Sequence, residues 1–288
     1  MLSQNPPDFD SLWDYDHPDR TEMRFREILL HIPENEPAFL ELLTQIARAQ
    51  GLQRKFEQAH QTLNQVDRRL NQAPSRPRIR YLLERGRVFN TSGYPGQAQP
   101  FFEQALLLAK QISEDFYAVD ALHMLAIVAP QEEQLGLNLQ AIRFAERSRN
   151  EKARGWLGSL YNNTGWAYHD ARDYASALDQ FRRAEAWQKS RGNAASARIA
   201  TWCVARTLRS LDHLEEALSM QMKLKGEFDS LGEKDGYVFE EIGECLVALG
   251  RPQEACSYFA EAYDILSREP SLVEGEPERL ARLKSLAG

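Results

Sequence analysis

Arg206 and Arg209 stand three residues apart, so on any helix they share a face and together could receive a carboxylate or a phosphate. Asn162 and Asn163 are adjacent amides, each able to donate to a peptide carbonyl and to accept from a peptide N–H. Trp166 and Trp202 add the residue type that, with arginine, most often anchors an interface. These side chains suit the holding of an extended chain better than the making or breaking of bonds. The six histidines, at 17, 31, 60, 123, 169 and 213, are scattered, and no two have the three-to-five spacing of helical metal ligands. Cys203, Cys245 and Cys256 form no Cys-x-x-Cys pair. A thiol at 203 near His169 would be a nucleophile candidate, but a small buried thiol is the commoner role. No Gly-x-Ser-x-Gly, His-Glu-x-x-His, P-loop or Gly-x-Gly-x-x-Gly occurs. No catalytic residue, metal or cofactor is therefore expected, and the chain reads as a non-enzyme.

The chain has 288 residues, 43% apolar and 27% charged, which is ordinary for a globular protein. Lys and Arg number 35 against 42 Asp and Glu, a net charge of −7, so direct nucleic-acid binding, which rests on phosphate neutralisation, is not expected. Acid is concentrated at the ends: Asp8, Asp10, Asp14, Asp16 and Asp19 precede the first basic residue. Sparse, unpaired cysteines fit a reducing compartment. The start, MLSQNPPDFD, lacks a basic region followed by an apolar run, so no secretory leader is expected. Apolar runs such as 105–109 are far shorter than the ~18 residues a membrane span needs. A cytoplasmic protein without membrane contact is expected.

Elements that could position these side chains emerge from an internal repeat. A Gly or Ala recurs at Ala47, Gly86, Ala126, Gly165, Ala205 and Gly243, with separations of 39, 40, 39, 40 and 38. Twelve residues after each lies Ala59, Ala98, Asn138, Ala177, Ala217 or Ala255, of which only Asn138 is not small. Four further on come Leu63, Phe102, Ile142, Phe181, Gln221 and Phe259. Apolar residues on both sides of each landmark follow the i, i+3, i+4, i+7 spacing of amphipathic helices. Turn residues such as Thr91-Ser92-Gly93 and Gly250-Arg251 separate the halves, and Pro95 and Pro252 stand where a second helix begins. Each unit is thus a helix hairpin whose small residues allow close approach, with the large residue filling the space beside the crossing. Gln72-Ala73-Pro74-Ser75 reads as a turn between repeats.

The skeleton Gly165-Tyr168-Ala177-Phe181-Ala184, repeated as Gly86-Phe89-Ala98-Phe102-Ala105, resembles the tetratricopeptide repeat (TPR) family. That family's common period is 34, so this chain is similar to its long-helix branch. The resemblance implies an all-α, right-handed α-solenoid of six TPR-like helix hairpins with an N-terminal and a C-terminal capping helix. The corresponding segments are an acidic segment and capping helix over 1–35, six repeats over 36–270, and a capping helix over 271–288. It also implies a concave face lined by the first helix of each pair. Transferred by register, the inward positions include Arg87 and Asn90 in the second repeat and His123 in the third. The fourth contributes Asn162, Asn163, Trp166 and His169, the fifth Trp202, Arg206 and Arg209, and the sixth Glu240, Glu241 and Glu244.

Two readings of these positions stand side by side. In one, the Trp, Asn, Arg and His residues form a ligand groove centred on repeats four and five, with an acidic patch beside it. In the other, the tryptophans pack between neighbouring helices and the polar groups are solvated. The family's carboxylate clamp needs Lys and Asn, then Asn, then Lys and Arg on successive first helices; only Asn163 matches, flanked by His123/Ile127 and Ile199/Cys203. The acidic aromatic stretch DFDSLWDYD (8–16) either folds back over the first helices or lies in the groove as a mimic of a ligand. The resemblance implies a protein–protein interaction scaffold that binds a peptide or flexible partner segment. Its alternative is a ligand- or peptide-sensing module of a bacterial signalling or transcription system. Solenoid edges also allow self-association, which no residue here specifies.

Overall fold

Proline opens helix after helix in this chain, at Pro18, Pro37, Pro95, Pro252, Pro270 and Pro277, where a missing N–H costs no intrahelical bond. The computed structural model describes residues 8–71 and 75–288; the turn expected at 72–75 lies mostly outside them. All regular structure among the described residues is helical, and the chain divides into two compact units, one up to Trp156 and one from Leu157.

The first unit begins with a 3-10 turn at Phe9–Leu12 and helix α1 (Pro18–Leu29). Three antiparallel pairs follow: α2 (Pro37–Leu52) with α3 (Phe56–Asp67), α4 (Arg76–Thr91) with α5 (Pro95–Gln111), and α6 (Asp115–Val128) with α7 (Gln131–Arg147). The short α8 (Glu151–Arg154) ends it. In the second unit, α9 (Leu157–Asp170) pairs with α10 (Tyr174–Ser190), α11 (Ala194–Ser210) with α12 (Leu214–Leu231), and α13 (Gly236–Ala248) with α14 (Pro252–Leu266). Helices α15 (Pro270–Gly275) and α16 (Pro277–Ala287) close the chain, α16 against α14. The landmark spacing gives no sign of the division into units, since Ala126 and Gly165 are separated by the usual 39 residues. No helix of the described residues is long and apolar enough to cross a membrane.

Hairpin turns repeat as faithfully as the crossings. Seven residues after the landmark, Arg54, Gly93, Arg172, Asp212 and Gly250 all take positive φ. The next N–H then reaches back to the carbonyl five residues earlier, as in Tyr94 to Phe89 and His213 to Leu208, both 2.9 Å. This left-handed cap satisfies the free carbonyls at the helix end. The third repeat lacks it because extended Ala129 and Pro130 end α6 instead.

At the crossings, landmark and large residue are matched in size. A Cβ on Gly86 would stand 2.5 Å from the ring of Phe102; at Gly165 it would stand 2.6 Å from Phe181, and at Gly243 2.7 Å from Phe259. Where the landmark is alanine, the partner position holds Leu63, Ile142 or Gln221 and never an aromatic ring. Gln221 is the poor fit. Its side chain is buried, and neither its amide nitrogen nor its oxygen has a partner. Gln221→Leu is expected to add about 1 kcal/mol, because an unsatisfied buried amide costs roughly that much or more. A raised thermal midpoint checks this; a lowered one would mean that the amide is satisfied.

Candidate functional site

In the first unit, the chain's own acidic segment packs on α2 and α4 at the positions that the register transfers as inward. Asp10 takes both terminal nitrogens of Arg80, at 3.1 and 2.7 Å, while Arg80 Nε lies 3.3 Å from Glu41. Phe9 is 1% exposed. Trp13 donates its indole N–H to Gln45 Oε1 (3.0 Å), stacks on Tyr15 and meets the edge of Phe25. The Arg48 guanidinium covers both the Trp13 and Tyr15 rings. Glu41, Gln45 and Arg48 hold the same offsets from Ala47 that Arg80, Glu84 and Arg87 hold from Gly86. Of the two fates open to residues 8–16, the segment folds back on the first helices, against positions that the register transfers as inward.

Arg87, Asn90 and His123 belong to this unit. Arg87 is no free cation: it donates to Glu84 (2.6 Å) and to Asp120. His123 packs against Trp156, ring centres 5.1 Å apart, and its burial holds its pKa below the usual imidazole value, so it is neutral at pH 7. Asn90 is half-buried; its carbonyl accepts the Gly93 N–H at 3.0 Å, and its side chain makes no hydrogen bond with described residues.

The other predicted positions lie in the second unit, where α9, α11 and α13 bring them close together. Trp166 sits with its edge toward Phe181 (5.2 Å), beside His169 (5.3 Å) and 6.1 Å from Trp202. Trp202 donates its indole N–H to the Tyr237 carbonyl, 3.1 Å away. Arg206 lies over both tryptophan rings. The pair of arginines does receive a carboxylate, but it is the chain's own: Glu241, 1% exposed, takes Arg206 and also Arg209 Nε (2.8 Å) and Nη2 (3.0 Å). The expected anion receptor is thus closed. Nor do the sixth-repeat glutamates form an acidic patch. Glu240 holds Arg279 and Glu244 holds Arg282, so these carboxylates dock α16.

His169 shares a 3.0 Å hydrogen bond with the Ser210 hydroxyl, and burial, with Arg206 nearby, keeps the ring neutral. Burial pushes the Cys203 and Cys245 thiols up to about 12, so both are protonated at pH 7 and neither is an activated nucleophile. Among the described residues no cluster of three His, Cys, Asp or Glu could hold a metal.

Two cavities flank exposed Ile199. The first, about 180 Å³, has a mixed lining in which Ser159, Asn162, Asn163, Gln188 and Ser196 stand beside Ala184 and Ala200. Gly158 forms part of its wall because a Cβ there would collide with the Gln188 amide. Asn162 accepts the Cys203 S–H at 3.6 Å. The Asn163 side chain has no hydrogen-bond partner among the described residues. The second cavity, about 360 Å³, lies between α11, α12 and α13, with Trp202, Phe228, Tyr237 and Val238 among its walls. Register alone points to first helices, so it misses Gln188 on α10 and Phe228 on α12. Phe228 carried only the ordinary apolar periodicity of second helices, which does not distinguish a cavity wall from core, and Gln188 carried no signal of its own.

Paired helices with a small landmark residue at every crossing and a final helix docked as a cap define a TPR fold. No family model and no curated protein matches the sequence, but many solved structures share its fold. The apo form of RapI has a TM-score of 0.72 at 11% identity, over 95% of this chain and 80% of that one. A signal transduction ATPase with a tetratricopeptide repeat sensor, from Pyrococcus horikoshii, gives 0.71 at 13% identity; it covers 95% of this chain, which spans only 44% of that protein. NprR in complex with its cognate peptide NprX gives 0.56 at 12% identity, over 92% of this chain and 77% of NprR.

Proposed function

We propose that the second unit captures an extended peptide, or a flexible segment of a partner protein, across α9 and α11. The observation that carries this is Asn163, an unpartnered side-chain amide at the smaller cavity, next to Asn162 and beside Ile199, which is 61% exposed. Asparagine can hold a backbone whatever its side chains are, and a bare isoleucine offers apolar contact. The charged inward positions add little, since Glu241 neutralises Arg206 and Arg209. Recognition is therefore through amides and apolar surface and is insensitive to salt. In the first unit the corresponding positions are already filled by residues 8–16. The thiol content suits work in a reducing compartment such as the cytoplasm.

Random linear peptides displayed on phage and selected against the full chain test this. Binding of the enriched peptides is expected to weaken about tenfold or more in Asn163→Ala/Ile199→Arg, as for loss of an interface anchor, with the melting temperature unchanged. Equal binding to that variant would remove α9 and α11 from the account. A peptide-sensing regulator is the second reading, favoured by the likeness to NprR, whose structure contains its cognate peptide. It adds the expectation that the peptide alters the activity of a further protein or domain.

A further inference from the structure

Residues 8–16 lie on α2 and α4 as a bound segment would, and the repeat carries the positions they touch into the second unit. Trp13 donates to Gln45, two residues before the landmark Ala47, and its ring lies under Arg48, one residue after it. Asp10 holds Arg80, six residues before the landmark Gly86, and Arg80 in turn meets Glu41, six before Ala47. The same offsets from Gly165 and Ala205 fall on Asn163, Trp166, Ile199 and Ser159. Of these, Asn163, Ile199 and Ser159 are walls of the smaller cavity. The second unit thus has a cavity where the first has a seated segment. Gln45, Glu41 and Arg80 are buried, whereas Ser159 and Ile199 are exposed.

The seated segment also shows the shape of an occupant. Phe9–Leu12 is a 3-10 turn, and residues three apart across such a turn share a face, so Asp10 and Trp13 both reach the helices. The exchanges between units then alter the chemistry asked of each. Gln45 and Asn163 are both carboxamides, and the Asn163 side chain has no partner among the described residues, so an N–H donor is still received there. Arg48 becomes Trp166, which meets the donor's ring with a ring. Arg80 becomes Ile199, so the place of the acid passes to an apolar residue. The larger cavity shares Ile199 as a wall, and its Trp202, Phe228 and Val238 give that side chain room. Arg198 and Asp235, also at the larger cavity, carry opposite charges and leave no net charge to be matched.

We propose that the second unit binds a partner segment with an apolar residue and, three positions later, a tryptophan, folded in one turn and running in the same direction as residues 10–13. This rests on the capture reading and adds which segment is captured. It also keeps the two sites apart. Residues 8–16 match the first unit through Asp10 and are refused by the second, where Ile199 would meet that carboxylate.

The probes are three fluorescein-labelled nonapeptides added to the full-length protein: residues 8–16 unchanged, the same with Asp10→Leu, and the same with both Asp10→Leu and Trp13→Phe. The chain's own segment, tethered at an effective concentration of about millimolar, keeps them out of the first unit. The Asp10→Leu peptide is expected to bind at least about tenfold more tightly than the unchanged one, the discrimination imposed by a carboxylate left unpaired on an apolar surface. Adding Trp13→Phe is expected to cost about fivefold, the scale of one neutral hydrogen bond. In Ile199→Arg the preference is expected to reverse, the unchanged peptide gaining and the Asp10→Leu peptide losing, which a non-specific apolar patch would not produce. Equal binding of the unchanged and Asp10→Leu peptides, no binding of the latter below about 1 mM, or no reversal in Ile199→Arg overturns the proposal. Phage-selected peptides that depend on Asn163 but lack an apolar residue three before a tryptophan sink this inference alone. Binding of the Asp10→Leu peptide that persists undiminished in Asn163→Ala/Ile199→Arg sinks the broader reading as well.

Discussion

Leucine in place of Gly165 is expected to cost about 3 kcal/mol or more, and alanine about 1–3 kcal/mol, because either side chain enters space held by the Phe181 ring. The first added carbon would meet ring atoms at 2.6, 2.7 and 2.8 Å, well inside contact distance, and Phe181 is fully buried with nowhere to yield. The decisive variant is the double one. Gly165→Ala with Phe181→Leu recreates the Ala47–Leu63 combination of the first repeat, so its loss should be smaller than the sum of the two single losses. Urea unfolding of the four proteins measures that coupling. Strict additivity would mean that ring and landmark do not share one space.

Removing the Glu241 carboxylate has a comparable expected effect. Glu241→Ala leaves Arg206 and Arg209 facing each other without a counter-ion, and breaking such a pair costs about 3 kcal/mol, at the low end for a buried pair because both arginines are partly exposed. The variant should also acquire what the native protein lacks, a site for a small anion. Added sulfate is expected to raise its melting temperature by several degrees more than that of the native chain, through preferential binding to the folded state. A melting temperature within about a degree of native, given the usual shift of a few degrees per kcal/mol, would show that Glu241 does not hold the two helices.

The hairpins themselves were legible because small residues, prolines and turn residues act locally and recur at a fixed interval. The left-handed turn position was not, since three of its five occupants are Arg54, Arg172 and Asp212 rather than glycine. Register assigns a face and not a partner. Arg206 and Arg209 looked like an anion site because Glu241 lies more than thirty residues away. A signal existed nonetheless. Arg48, Arg87 and Arg206 each directly follow a landmark, and each pairs with an acid on the first helix of the next repeat: Glu84, Asp120 and Glu241. Reading the offset between repeats, and not within one, would have shown these charges to be internal ties. For residues 8–16, composition could not decide between a cap and a groove occupant, because Asp10, Phe9 and Trp13 satisfy both descriptions at once.

Capture on α9 and α11 is tested most directly by hydrogen exchange of the full-length protein with and without a selected peptide. The peptide is expected to slow exchange in 157–170 and 194–210, the segments carrying Asn163 and Ile199, and to leave 37–52 and 76–91 unchanged. Slowing confined to those last two segments, with none in the first two, would contradict it.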